Sequence, residues 1–125
     1  MTFDRDRIRL IPILVHQLMM SGAWLVGSAA DPNRNYERNP PRDWDLCIEP
    51  KDWFDCSLLL VSAETSNHSL TRFGGQRMEV TDRGRSKSYQ LDCWVSTLAE
   101  TMARVIGGPN YAFHLKSGVW VCFGK

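Results

Sequence analysis

Three acids carry the chemistry this sequence could do. Asp43 and Asp45 stand two apart in Asp43-Trp44-Asp45-Leu46, and Asp92 lies inside Leu91-Asp92-Cys93. Side chains two apart on a strand project to one face, so the first two carboxylates converge, and a third from a neighbouring strand can join them. A divalent ion such as Mg²⁺ takes hard oxygen ligands and is commonly held by one or two carboxylates together with substrate phosphates. Upstream, Gly27-Ser28 closes an apolar run. Glycine permits close backbone approach there, and the Ser28 hydroxyl with the amides after it can donate to phosphate oxygens if they open a helix. Carboxylates beside a small-residue turn make a place for divalent metal and a triphosphate.

These groups must be positioned by ordinary elements. Ile13, Leu14, Val15, Leu18 and Met19 recur at helical spacing, Pro12 suits a first turn and Gly22 a left-handed end. That predicts a helix over 12–21, extended or kinked back toward Asp4. Ala23 to Val26 reads as a buried strand ending at Gly27. The segment 31–42 is punctuated by Asp31-Pro32-Asn33 and Asn39-Pro40-Pro41, carries Arg34, Arg38 and Arg42 without an apolar period, and is expected to be a surface loop. From Asp43 to Glu49 the pattern alternates, Trp44, Leu46 and Ile48 to one side and Asp43, Asp45 and Cys47 to the other.

Pro50 ends that strand, and 51–62 reads as a helix; 65–71 is polar and reads as a connection. Phe73 to Val80 resumes an extended pattern, and Asp82-Arg83-Gly84-Arg85 has hairpin-turn chemistry leading into a strand over 88–95. There Tyr89, Leu91, Cys93 and Val95 share one face, which leaves Gln90, Asp92 and Trp94 on the other. Ser96 is the expected N-cap of a last helix whose stripe is Leu98, Met102 and Val105, stopped by Gly107-Gly108-Pro109. Residues 111–115 and 119–123 around Lys116-Ser117-Gly118 read as a C-terminal hairpin.

Length and charge bound the possibilities. With 125 residues the chain is expected to form a single domain over 1–125, too small for a catalytic domain plus a full second one. An acceptor of macromolecular size would be met on a bare surface or through a partner. Fifteen basic against fourteen acidic residues give a net charge of +1, which excludes polyanion binding by bulk charge alone. Cys47, Cys56, Cys93 and Cys122 form no C-x-x-C pair, so they read as reduced small hydrophobes rather than zinc or redox ligands. The charged start, interrupted by Pro12 and His16, resembles neither a signal peptide nor a membrane span, and a cytoplasmic protein with no membrane association is expected.

The order of helix, strand ending in Gly27-Ser28, strand with Asp43-Trp44-Asp45-Leu46 and later strand with Leu91-Asp92-Cys93 resembles the nucleotidyltransferase superfamily related to DNA polymerase beta. The resemblance spans about residues 12–106. It implies an α+β fold with a small mixed β-sheet flanked by helices, to which the C-terminal hairpin is added. It also implies two Mg²⁺ ions held by Asp43, Asp45 and Asp92, a nucleoside triphosphate held at Gly27 and Ser28, and transfer of a nucleoside monophosphate to a hydroxyl of a protein, an RNA or a small molecule. Arg34, Arg38 or Arg42, and Arg72 or Lys87 across the cleft, could add positive charge for the phosphates. The family pattern is broken twice: fourteen residues separate Ser28 from Asp43, and Trp44 is bulky between the two acids.

Two other readings compete. The first is a nucleotidyltransferase-like fold without activity, a binding or inhibitory module, of the kind phages and mobile elements encode, that docks on a host protein. The second aligns Asp31 and Glu49-Pro50-Lys51 with a nuclease pattern, but Pro50 breaks the strand that pattern requires and leaves Asp92 no part. Trp94 shares a face with Asp92, where it could stack on a base, although packing under the C-terminal hairpin is the simpler role. His16, His68 and His114 are scattered, and Gly74-Gly75 marks a bend.

Overall fold

The computed structural model describes residues 5–84, 87–104 and 110–123. Two short helices come first, α1 (Arg5–Arg9) and α2 (Ile13–Met20), the second within the expected 12–21 and the first a separate segment beyond a break, the kinked alternative rather than the extended one. Pro12 separates them: it lacks an amide hydrogen, and the residue before a proline is driven out of the helical region. Gly22 follows α2 with φ +110°, and a side chain there would collide with the Asp52 carboxyl group. Strand β1 (Trp24–Val26) runs into a single 3₁₀ turn at Gly27–Ala30.

Beyond the loop come β2 (Asp43–Ile48), α3 (Pro50–Ser66), β3 (His68–Arg72), β4 (Arg77–Asp82) and β5 (Ser88–Val95). Helix α4 (Leu98–Ala103), β6 (Asn110–His114) and β7 (Val119–Phe123) complete the described chain. Helix α3 is longer than the expected 51–62, and β3 occupies part of a stretch that reads as a polar connection. Val105 and Gly107-Gly108-Pro109, expected to finish α4, and Arg85, expected in the hairpin turn, lie outside the described residues.

The strands form one mixed sheet in the order β3-β4-β5-β2-β1-β6-β7. β2 and β5 are parallel and the other neighbours antiparallel. One face carries the main core, where Leu14, Leu18 and Met19 of α2 and Cys56, Leu60 and Ala63 of α3 pack on Leu46, Ile48, Val80 and Leu91. Alternation along β2 and β5 places Trp44, Leu46 and Ile48, and Leu91 and Cys93, on that side. Among the described residues the opposite face is covered at one end only, by a small cluster of Val26, Cys47, Met102 and Ala112 under α4.

Helix α4 is fixed by a capping box at Thr97, one residue beyond the expected Ser96. The Thr97 hydroxyl accepts from the Glu100 amide and the Glu100 carboxylate accepts from the Thr97 amide. Trp94 lies three strands from β6, so it does not pack under the hairpin; Arg104 sits over its ring at 5.6 Å. Among the described residues, no helix is long and apolar enough to cross a membrane.

Candidate metal and phosphate site

Pairing register brings the acids together. β2 and β5 align Asp45 with Asp92 and Asp43 with Gln90, while β4 aligns Arg77 with Asp92 and β1 aligns Val26 with Asp45. A single row across the sheet therefore reads Arg77, Asp92, Asp45, Val26, with all four side chains on the side opposite α2 and α3. Strands in a ladder lie about 4.8 Å apart, so the Asp45 and Asp92 carboxyl groups face each other directly. Asp43, two residues earlier on β2, projects to the same side and is exposed.

Burial makes this row electrostatically tense. The Asp92 side chain is 14% exposed, and its Oδ1 is shielded from water without a hydrogen-bond partner, the Arg77 Nε standing 3.5 Å away. Burial pushes the Asp45 carboxyl up to about 7, with the Asp92 charge, a hydrogen bond to Asp92 and the Asp43 charge adding to it and Arg77 opposing. With a second carboxylate beside it on a desolvated row, Asp45 holds its proton more tightly than a free carboxyl.

Gly27 serves this row more directly than it serves a phosphate. Its φ is +76°, and a Cβ there would stand 2.8 Å from Asp45 Oδ2. A side chain at 27 would occupy the space the carboxylate uses, which is the reason for glycine here. Ser28 is the second residue of a 3₁₀ turn of four residues rather than the start of a helix, and Ala29 and Ala30 behind it are buried. The Ala29 carbonyl accepts from Arg7 Nη2 at 2.9 Å and from the Tyr36 hydroxyl.

The loop after it is not wholly a surface segment. Tyr36 is 3% exposed, meets Trp44 edge-on at 5.6 Å between centroids and carries the Arg7 guanidinium over its ring at 4.3 Å. Trp44, the bulky residue between the acids, fills the core beneath the sheet. So anchored, the loop turns Arg34 back to donate to Ser28 Oγ at 3.0 Å and to the Asn39 carbonyl at 2.9 Å. Ser28, Arg34, Asn39, Pro40, Arg42 and Asp43 line a polar hollow of about 200 Å³. Two cations and a hydroxyl thus stand next to the outermost acid, which is a chemistry suited to phosphate oxygens.

The other basic residues go elsewhere. Arg38 is exposed and outside the hollow, Arg72 pairs with Glu64 of α3 at 3.8 Å, and Lys87 lines a separate cavity. Arg77, which touches Asp92, is not among the basic residues singled out from the sequence. Its signal is the alternation of β4, where Met78 and Val80 point inward and Arg77 and Glu79 therefore outward. His114 has both ring nitrogens engaged, by the Gly22 carbonyl and Ser117, and His68 is buried against Asn67. The Gly74-Gly75 bend has open space around it.

Among the described residues, no three His, Cys, Asp or Glu side chains stand close enough to enclose an ion as arranged here. Asp45 and Asp92 form the pair and Asp43 the outlying third. The buried Asp92 carboxylate, with Arg77 at 3.5 Å, beside an Asp45 carboxyl that burial and neighbouring charge raise to about 7, is a donor set whose crowding a hard cation would relieve. No family model, no curated protein and no solved structure matches the chain.

Proposed function

We propose that this protein is a metal-dependent nucleotidyltransferase that moves a nucleoside monophosphate from a nucleoside triphosphate onto a hydroxyl. The supporting observation is the row in which Asp45 and Asp92 stand in register on parallel strands, with Asp43 on the same face and Asp92 buried beside Arg77. The order of elements around it, strand, Gly27-Ser28, Asp-x-Asp strand and Asp92 strand, resembles the nucleotidyltransferase fold, with the β6–β7 hairpin added beside β1. Mg²⁺ held by Asp43, Asp45 and Asp92 would supply charge neutralisation at the reacting phosphate and a lowered pKa for the attacking hydroxyl.

The chain's own groups do the rest. Ser28, Arg34 and Arg42 hold the phosphate tail in the polar hollow, where the two guanidiniums offset its charge and fix its orientation. Gly27 keeps the approach to Asp45 open. Arg77 offsets charge on the Asp92 side, and the uncovered sheet face over β4 and β5 leaves room for an acceptor: protein, RNA or small molecule. Incubation with α-labelled ATP, CTP, GTP or UTP, Mg²⁺ and cell lysate is expected to label an acceptor. Asp45→Asn and Asp92→Asn should each abolish the label; retention in both variants would defeat the assignment.

One observation favours a second reading, a non-catalytic module that docks on a host protein. The outer side of α3 exposes Phe54 at 70%, Val61 at 56% and Leu58 at 53%, three and four residues apart on one helix face. Apolar side chains gathered on one surface often mark a protein contact. Calorimetry separates the two: micromolar nucleotide binding with Mg²⁺, lost in Asp43→Ala, supports the transferase, and no nucleotide binding by the intact fold supports the module.

A further inference from the structure

The transferase reading leaves the β6–β7 hairpin without a task, since neither strand contributes a side chain to the acid pair or to the polar hollow. β7 is the last strand of the sheet and pairs with β6 on its inner side. Among the described residues no strand stands beside its outer edge. Backbone amides and carbonyls along such an edge are a template for one more strand, whatever chemistry goes on elsewhere in the molecule.

The two outer strands of the sheet are built differently. At the other end, β3 reads His68-Ser69-Leu70-Thr71-Arg72, with Ser69, Thr71 and Arg72 exposed. Arg72 pairs there with Glu64 of α3, and Arg83 donates to the Glu64 and Ser66 carbonyls where α3 leads into the strand. Polar and charged side chains of this kind discourage further pairing. β7 has no such guard. Val119-Trp120-Val121-Cys122-Phe123 contains no charge and no proline, every residue is at least partly exposed, and Val119 is 44% exposed. β-branched and aromatic residues favour a paired strand, so this edge is suited to pairing by composition as well as by position.

We propose that β7 pairs with β7 of a second copy of this chain, antiparallel about a two-fold axis through Val121, so that the sheet runs on from one protomer into the next. Alternation puts Val119, Val121 and Phe123 on one face and Trp120 and Cys122 on the other. About that axis Val121 meets itself, Val119 meets Phe123 of the second copy, and Trp120 meets Cys122. Each aromatic side chain thus opposes a smaller one, and aromatic with β-branched is a stabilising cross-strand pair. No charge is brought against another. Any extended segment could supply the backbone ladder, but this match of large with small is made by the strand's own sequence. The two-fold also closes the contact on itself and leaves only the guarded β3 edges at the ends of the joined sheet.

Sedimentation equilibrium of the full chain tests this, and a monomer–dimer equilibrium is expected. Val119→Lys, at an exposed position, should fold normally and raise the dissociation constant about ten-fold, because each lysine would face Phe123 of the other copy. Thr71→Lys on the β3 edge and Phe54→Ser on α3 should leave it unchanged. Register is read by cross-linking in a Cys122→Ser background. There Val121→Cys places two thiols directly opposite, at a Cα separation of about 5 Å, and should give a disulfide-linked dimer on mild oxidation. Cys122 of the wild type, out of register with its own copy, should not link. A monomer at every concentration would overturn the proposal, and so would a dimer that Val119→Lys leaves intact or that Phe54→Ser dissociates. Growth past the dimer would show an open edge that takes strands without the two-fold and would overturn it equally.

Discussion

A carboxyl group that loses water and faces a second carboxyl one strand away holds its proton more tightly than a free one, and Asp45 meets both conditions. Its folded value, about 7, exceeds the ordinary 3.8, so between those limits the folded state keeps a proton the unfolded chain has released. Stability from this group is therefore full below about pH 4 and is lost as pH rises toward 7. An asparagine in its place would carry no charge at any pH. The variant Asp45→Asn should match wild type near pH 4 and melt higher at pH 8, by roughly 4 °C for each kcal/mol relieved in a domain of this size. Thermal melts at the two pH values give the comparison, and parallel pH profiles for the two proteins would refute a protonated Asp45. The same tension explains Gly27, whose missing side chain is what lets Asp45 stand where it does.

At the scale of elements, helix α4 decides how much of the acid-bearing face is covered, and its start depends on one side chain. Thr97 satisfies the Glu100 amide, so Thr97→Ala should cost about 1 kcal/mol, the usual worth of an N-cap, and lower the melting temperature. An unchanged melt would show that packing of Met102 on Cys47 and Val26, and not the cap, holds the helix. Ser96 looks as good a cap in the sequence, but it is turned toward Thr101, with the two hydroxyls 2.5 Å apart. The strands were legible where alternation was strong, as in β2 and β5, because the period-2 pattern of Trp44, Leu46, Ile48 and of Tyr89, Leu91, Cys93 is set by burial on one face. β3 was not, because only His68 and Leu70 point inward along an edge strand that is otherwise polar. Register was not either: nothing local to Asp45 or Asp92 states that their strands are parallel and aligned. Tyr36 escaped for a similar reason, since a lone aromatic in a polar loop becomes an anchor only when Arg7 and Trp44 are brought to it.

Across the whole molecule the sheet has unequal faces: among the described residues one is packed by α2 and α3 and the other is covered by α4 alone, so ligand contacts on the acid side should be local. With a net charge of +1, bulk attraction contributes little, and any hold on a triphosphate must come from Ser28, Arg34, Arg42 and whatever cation the proposed site takes. Hydrogen exchange can map this. With ATP and MgCl₂, amides over 27–39, 42–45 and 90–93 should exchange more slowly, because ligation would suppress local opening of the 3₁₀ turn, the loop and the beginnings of β2 and β5. Amides of α3, β6 and β7 should be unchanged, since those elements contribute no side chain to the hollow or to the acid row. Replacing Mg²⁺ with EDTA should remove the protection over 43–45 and 90–93, because the paired carboxylates would then repel the phosphates they hold in its presence. Protection centred on α3, or none with both ligands present, would move the functional surface to the exposed Phe54, Leu58 and Val61 side and away from Asp43, Asp45 and Asp92.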